Sequence, residues 1–94
     1  MPEIGGSWTL ITGATSTTGY EVAKALAAKG ENLVLVCCDE VRLCEVAREL
    51  NEISDIIIMP VDLSLPGSTV LIFDECERLG LRIKKLLNFS PENN

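Results

Sequence analysis

The chain has 94 residues, 47% of them hydrophobic, with 8 lysines and arginines against 14 aspartates and glutamates. That length holds one domain with a modest core, and the composition is too apolar for a disordered chain. A net charge of −6 and the absence of histidine exclude histidine-based acid–base catalysis and histidine metal ligands, and argue against a nucleic-acid partner.

Trp8-Thr9-Leu10-Ile11-Thr12 is a short β-prone run that stops at Gly13, and a Gly/Ser/Thr loop follows as far as Gly19. Val22, Ala23, Leu26 and Ala27 then recur at helical spacing, with Gly30 placed to end that helix. Leu33 to Cys38 is a continuous apolar run, the pattern of a strand buried on both faces. Asp39 is placed to cap a second helix, whose expected buried stripe is Val41, Cys44, Ala47 and Leu50.

Ile56 to Val61 reads as a third buried strand, and Asp62 to Gly67 as a loop. A third amphipathic helix is expected over Ser68 to Leu79, closed by Gly80. Ile83 to Asn88 follows as a fourth strand, and 89–94 as a flexible polar tail. The β-α-β-α-β-α-β order with short connections predicts an α/β fold with a parallel sheet and right-handed crossovers.

The cysteines are Cys37, Cys38, Cys44 and Cys76, and no Cys-x-x-Cys pair occurs among them. Three lie in apolar, regularly patterned segments, where a reduced cysteine acts as a small hydrophobe. Free thiols in a reducing, cytoplasmic compartment are expected, with no metal site. No apolar stretch approaches the roughly 20 residues that a bilayer crossing needs, so no membrane partner is expected.

Thr12-Gly13-Ala14-Thr15-Ser16-Thr17-Thr18-Gly19 connects the first strand to the first helix. In a doubly wound sheet this turn is where a dinucleotide's pyrophosphate docks, on the free N–H groups of the helix N-terminus. The loop has the outer two glycines of a G-x-G-x-x-G pattern but no middle one. Asp39 lies twenty positions beyond Gly19, the spacing of a ribose ligand, and reads equally well as a helix cap.

At this loop the sequence resembles the short-chain dehydrogenases/reductases, whose fingerprint is Thr-Gly, three residues, Gly, any residue, Gly. The likeness continues through Ala23, Leu26, Ala27 and Gly30, Leu33 to Val36, Leu43 and Arg48-Glu49-Leu50. Val61-Asp62-Leu63 resembles the family's aspartate motif beside the adenine ring, although Asp62 also reads as a loop cap ahead of Ser64. Leu81 to Asn88 resembles the strand leading into the family's Asn-Asn-Ala-Gly, of which Asn88 keeps the first Asn. The resemblance implies a Rossmann-like three-layer α/β/α fold with strand order 3-2-1-4. It also implies an NAD or NADP cofactor held by Gly13, Thr15, Ser16, Thr17, Thr18, Gly19, Asp39, Asp62, Leu63 and Asn88.

Thr17 stands where the family has its middle glycine, or Ser16 does if the family's extended form is the better match. A β-branched residue is poorly tolerated where φ must be positive, so weakened cofactor binding is expected. Cys37 and Cys38 fill the places where an acid would select NAD or an arginine NADP. With Asp39 nearby, the sequence leans slightly to NAD, and Arg42 is a minor candidate for a phosphate. Tyr20 and Lys24 spell the family's catalytic Tyr-x-x-x-Lys but fall directly after the phosphate loop, where no nicotinamide is held; they are read as a decoy.

The expectation is a single, truncated NAD(P)-binding domain over 1–94, unable to transfer hydride alone because the family's catalytic residues belong to a following half. The alternative is a non-catalytic module that pairs with itself or a partner chain through the open edge of strand four. Leu86, Leu87 and Phe89 favour such association, and Lys84 and Lys85 partly guard the edge.

Overall fold

A computed structural model describes residues 7–89. In chain order the elements are β1 (Ser7–Thr12), α1 (Thr17–Ala28), β2 (Asn32–Cys37), α2 (Glu40–Leu50), β3 (Ile56–Pro60), α3 (Ser68–Arg78) and β4 (Arg82–Asn88). The strands form one parallel sheet in the order β3-β2-β1-β4. This is the expected Rossmann architecture, with α1 and α2 on one face and α3 on the other.

Two apolar clusters separate those layers. Ile11, Leu33 and Leu35 point to one face and pack with Ala23 and Ala27 of α1 and with Leu43, Val46 and Leu50 of α2. Trp8, Leu10, Val34 and Val36 point to the other, where they meet Met59 and α3's Ile72 and Cys76. The pleat sends successive residues to opposite faces, so a strand in the middle of the sheet is apolar at every position. Leu33, Val34, Leu35 and Val36 are all fully buried, as the unbroken run in the sequence predicts.

Three expectations are corrected. The buried stripe of α2 is Leu43, Val46 and Leu50, whereas Val41 is 69% exposed and Cys44 is exposed. Two overlapping apolar stripes occur in this helix, and packing on the sheet buries the leucine-bearing one. The third strand is not a buried one: only Met59 is buried in β3, because β3 is at the sheet edge. Phe89 is not the start of a loose tail. Its N–H donates to the Thr12 carbonyl at 3.0 Å, and its ring packs on the α1–α2 side of the core. Residues 90–94 lie outside the described part.

At the amino end of the sheet, Glu31 joins three elements. Its carboxylate accepts from Thr9 Oγ1 of β1 at 3.1 Å and lies 3.2 Å from Lys84 Nζ of β4. Its carbonyl accepts the Ser54 hydroxyl from the turn before β3. The β1–β4 register shifts between Trp8 and Thr9, so that Ile83 pairs with Trp8, Lys85 with Thr9, and Lys84 falls at the irregularity.

Candidate functional site

The carboxyl end of the sheet carries every residue that the sequence singles out for a ligand. β1 ends at Thr12, and the chain turns at Gly13, whose N–H donates to the Val36 carbonyl of β2 at 3.0 Å. Gly13 has φ +69, and a Cβ there would fall 1.5 Å from the Phe89 carbonyl oxygen. Gly19 is confined by space alone, since a Cβ would lie 2.2 Å from the Gly13 carbonyl oxygen. Both glycines are required by backbone approach within the protein itself.

Ser16 ties the loop to the helix. As N-cap of α1, its hydroxyl accepts from the Gly19 N–H at 3.1 Å and donates to the Gly13 carbonyl at 2.8 Å. Its own carbonyl accepts from the Tyr20 N–H at 2.8 Å. The N–H groups of Thr17 and Thr18, between these bonds, meet no acceptor among the described residues. Exposed donors at the positive end of a helix dipole are suited to an anion such as a phosphate. The sequence carried a signal for this cap, a serine one position before the helix, that the motif comparison passed over.

The strain expected at Thr17 is absent, because among the described residues only glycines have positive φ. Thr17 is instead the first residue of α1, in ordinary helical conformation, with an exposed side chain. Thr15 turns the other way. Its Oγ1 lies 2.9 Å from Cys37 Sγ, linking the loop to the end of β2. Cys37 is half-buried, while Cys38 beside it is exposed.

The two aspartates both make local bonds. Asp39 Oδ1 accepts from the Arg42 N–H at 3.1 Å and caps α2. Asp62 Oδ1 accepts from the Ser64 hydroxyl at 2.7 Å and from the Ser64 N–H at 3.0 Å. The Ser64 hydroxyl bond, aided by the N–H, holds the Asp62 carboxyl below its ordinary value and keeps it ionised. Both are exposed on loops at the carboxyl end of the sheet, with a capping role already filled. Arg42 is paired at 3.3 Å with Glu45.

Asn88 closes the site on the β4 side, where its Oδ1 accepts the Thr12 hydroxyl. Thr12 and Asn88 form one end of a 290 Å³ groove between β1, β4 and α3, walled by Leu10, Leu63, Ile72 and Leu86. Leu63 therefore belongs to an apolar wall at the rim of the site. The register pairing Thr12 with Asn88 brings the first and last strands together here, which is the position where a doubly wound sheet binds ligands.

Tyr20 and Lys24 face one another on α1, with Lys24 Nζ 5.9 Å from the centre of the Tyr20 ring. The Tyr20 hydroxyl donates to Glu49 Oε2 of α2 at 2.7 Å, and its ring packs beside the core. The Glu49 hydrogen bond, with burial and the Glu49 charge added, raises the phenol above its ordinary value of 10.0. A tyrosine that exchanges a proton with a substrate needs the opposite shift. Among the described residues, no group of three potential metal-ligating side chains converges, and no helix is long and apolar enough to cross a membrane.

Comparison with known proteins gives a consistent result. The sequence model of the short chain dehydrogenase family matches residues 7–89. The 7beta-hydroxysteroid dehydrogenase of Mediterraneibacter gnavus is 36% identical over 78 residues, which are 81% of this chain and 30% of that protein. L-sorbose reductase from Gluconobacter frateurii, solved with NADPH and L-sorbose, superposes with a TM-score of 0.84 at 28% identity, over 97% of this chain and 35% of that one. A short-chain dehydrogenase from Sphingobium yanoikuyae in complex with NADPH gives 0.68 at 33% identity, over 74% of this chain and 28% of that one. The chain thus spans about a third of the length of these relatives.

Proposed function

From the premise that this chain belongs to the short-chain dehydrogenase family, we propose that it is the dinucleotide-binding part of an NAD(P)-dependent oxidoreductase. The observation that carries this reading is the pair of unpartnered N–H groups on Thr17 and Thr18, held between Gly13 and Gly19 at the start of α1. These donors fit a pyrophosphate, and Ser16 and Thr15 fix the loop that presents them. Asp39 is the candidate for the ribose hydroxyls, Asp62 and Leu63 for the adenine side, and Asn88 for the end of the site nearest β4. When bound, the cofactor supplies the hydride. The chain's own residues bind and orient it, and none of them is a candidate for exchanging a proton with the substrate.

Cys37 and Cys38 at the end of β2 supply neither a carboxylate nor a guanidinium, so preference between the two cofactors is small and leans to NAD through Asp39. Thr17 adds a side chain at the mouth of the loop and weakens binding by crowding, without backbone strain. Its four free cysteines suit a reducing cytoplasm. Isothermal titration with NADH and NADPH tests the reading. Binding in the millimolar range or tighter is expected, with Thr17→Gly tightening it, and no heat at saturating millimolar cofactor overturns it.

A second reading is a non-catalytic module that associates with itself or a partner chain. It is favoured by β4, which has a strand on one side only among the described residues, and by the exposed Leu86 on that strand.

A further inference from the structure

We infer that Cys37 is a positioning residue for the diphosphate of a bound nucleotide: its thiol holds Thr15, and through Thr15 it keeps the donors at the start of α1 aimed at one point. This rests on the cofactor reading above and names a residue through which that site works.

The end of β2 is where the separate pieces of the candidate site are tied together. The Val36 carbonyl accepts the Gly13 N–H at 3.0 Å and the Ala14 N–H at 3.4 Å, which fixes the first two residues of the loop. The Cys37 carbonyl accepts the Val61 N–H at 3.1 Å, which fixes the residue ahead of Asp62. The Cys37 side chain then reaches the phosphate loop, with Sγ 2.9 Å from Thr15 Oγ1. One residue thus bonds to both loops, through its main chain on one side and its thiol on the other.

Thr15 depends on that thiol. It lies between Ala14, held by the sheet, and Ser16, whose hydroxyl bonds run to Gly13 and Gly19 within the loop itself. Among the described residues Cys37 is the one hydrogen-bond partner of Thr15. Cys37 has a firm backing, since it is half-buried and packs against the core cluster under α1 and α2. A side chain locked by packing on one side passes a fixed position to its partner on the other. Without the thiol, Thr15 is free to turn, and the unpartnered N–H groups of Thr17 and Thr18 follow two and three residues later. Loss of this preorganisation falls on a ligand that needs those donors, a diphosphate, and not on a nucleoside that carries no phosphate.

ADP and adenosine separate these contributions. Their affinities are measured from the amide shifts of the full chain and its variants. Cys37→Ala and Thr15→Val are each expected to weaken ADP about five-fold, the effect of one neutral hydrogen bond, and to leave adenosine within about two-fold. The double variant is expected to bind ADP no more weakly than either single one, because both remove the same contact. Cys37→Ser, which keeps a polar partner for Thr15, is expected to restore ADP binding, and Cys44→Ala at an exposed position of α2 to change neither affinity. Circular dichroism verifies the fold of each variant, and Thr15→Val reads the same contact from the loop if Cys37→Ala unfolds. Unchanged ADP affinity in both single variants, or additive losses in the double one, overturns the proposal. Equal losses for adenosine and ADP also overturn it, by placing Cys37 against the nucleoside itself. A wild-type chain that binds neither ADP nor NADH at saturating millimolar concentration ends the cofactor reading and this one with it, whereas ADP binding indifferent to Cys37 ends the positioning role alone.

Discussion

The Thr15 hydroxyl and the Cys37 sulfur lie 2.9 Å apart, joining the loop after β1 to the last residue of β2. This contact places a cysteine side chain where a dinucleotide's adenosine ribose is recognised in this fold. Cys37→Asp adds an acceptor for the ribose hydroxyls and a negative charge that opposes a 2′-phosphate. The variant is expected to favour NADH over NADPH by about ten-fold more than the wild type, measured by isothermal titration.

Gly13→Ala is expected to lower stability by about 2 kcal/mol or more, because it combines a positive φ with a Cβ driven into the Phe89 carbonyl. Gly30→Ala is the internal control. Gly30 has φ +84 but nothing within 4 Å of the added Cβ, so its cost is limited to about 1 kcal/mol. Urea unfolding of the two variants checks the difference, and equal losses would remove the Phe89 contact from the account.

Glu31→Gln is expected to cost about 1 kcal/mol at neutral pH, through the weakened bonds to Lys84 and Thr9. The Lys84 hydrogen bond, then that of Thr9, holds the Glu31 carboxyl below its ordinary value of 4.5. The sign follows from that depression. The stabilisation is fully present above the ordinary value and is lost as pH falls through the lower, folded-state value. Wild-type and variant stability should therefore differ at pH 7 and converge in acid, as followed by thermal unfolding across pH.

Tyr20→Phe is expected to leave affinity for NADH within about two-fold of the wild type, since its hydroxyl is engaged with Glu49 of α2. Only a small fall in the unfolding midpoint should accompany it. A large loss of cofactor affinity, read by the same titration, would return Tyr20 to the functional site.

The alternation of strands and helices was legible because apolar runs and helical stripes change period cleanly along the chain. The strand order came with the family resemblance, and the register bore it out by joining Thr12 to Asn88. Burial was less legible. Ile56 to Val61 is as apolar as Leu33 to Cys38, yet only sheet order decides which run is central and which lies at an edge. In α2, two stripes of similar hydrophobicity compete, and tertiary packing chose Leu43, Val46 and Leu50. The loop was the hardest part. Whether Thr17 is strained depends on where α1 begins, and that is set by the Ser16 hydroxyl folding back onto Gly13 and Gly19. The Cys37–Thr15 and Phe89–Gly13 approaches join residues far apart in the chain, so no local pattern announced them.

The clamp made by Glu31 and the loops of the candidate site lie at opposite poles of the sheet. Thr9, Lys84 and Ser54 meet Glu31 where the strands begin, whereas Gly13, Cys37, Asp62 and Asn88 lie where strands end or just beyond. Substitutions at the first pole can therefore tune how firmly the strands are held while the chemistry of the second stays as it is. The chain has separate handles for durability and for recognition.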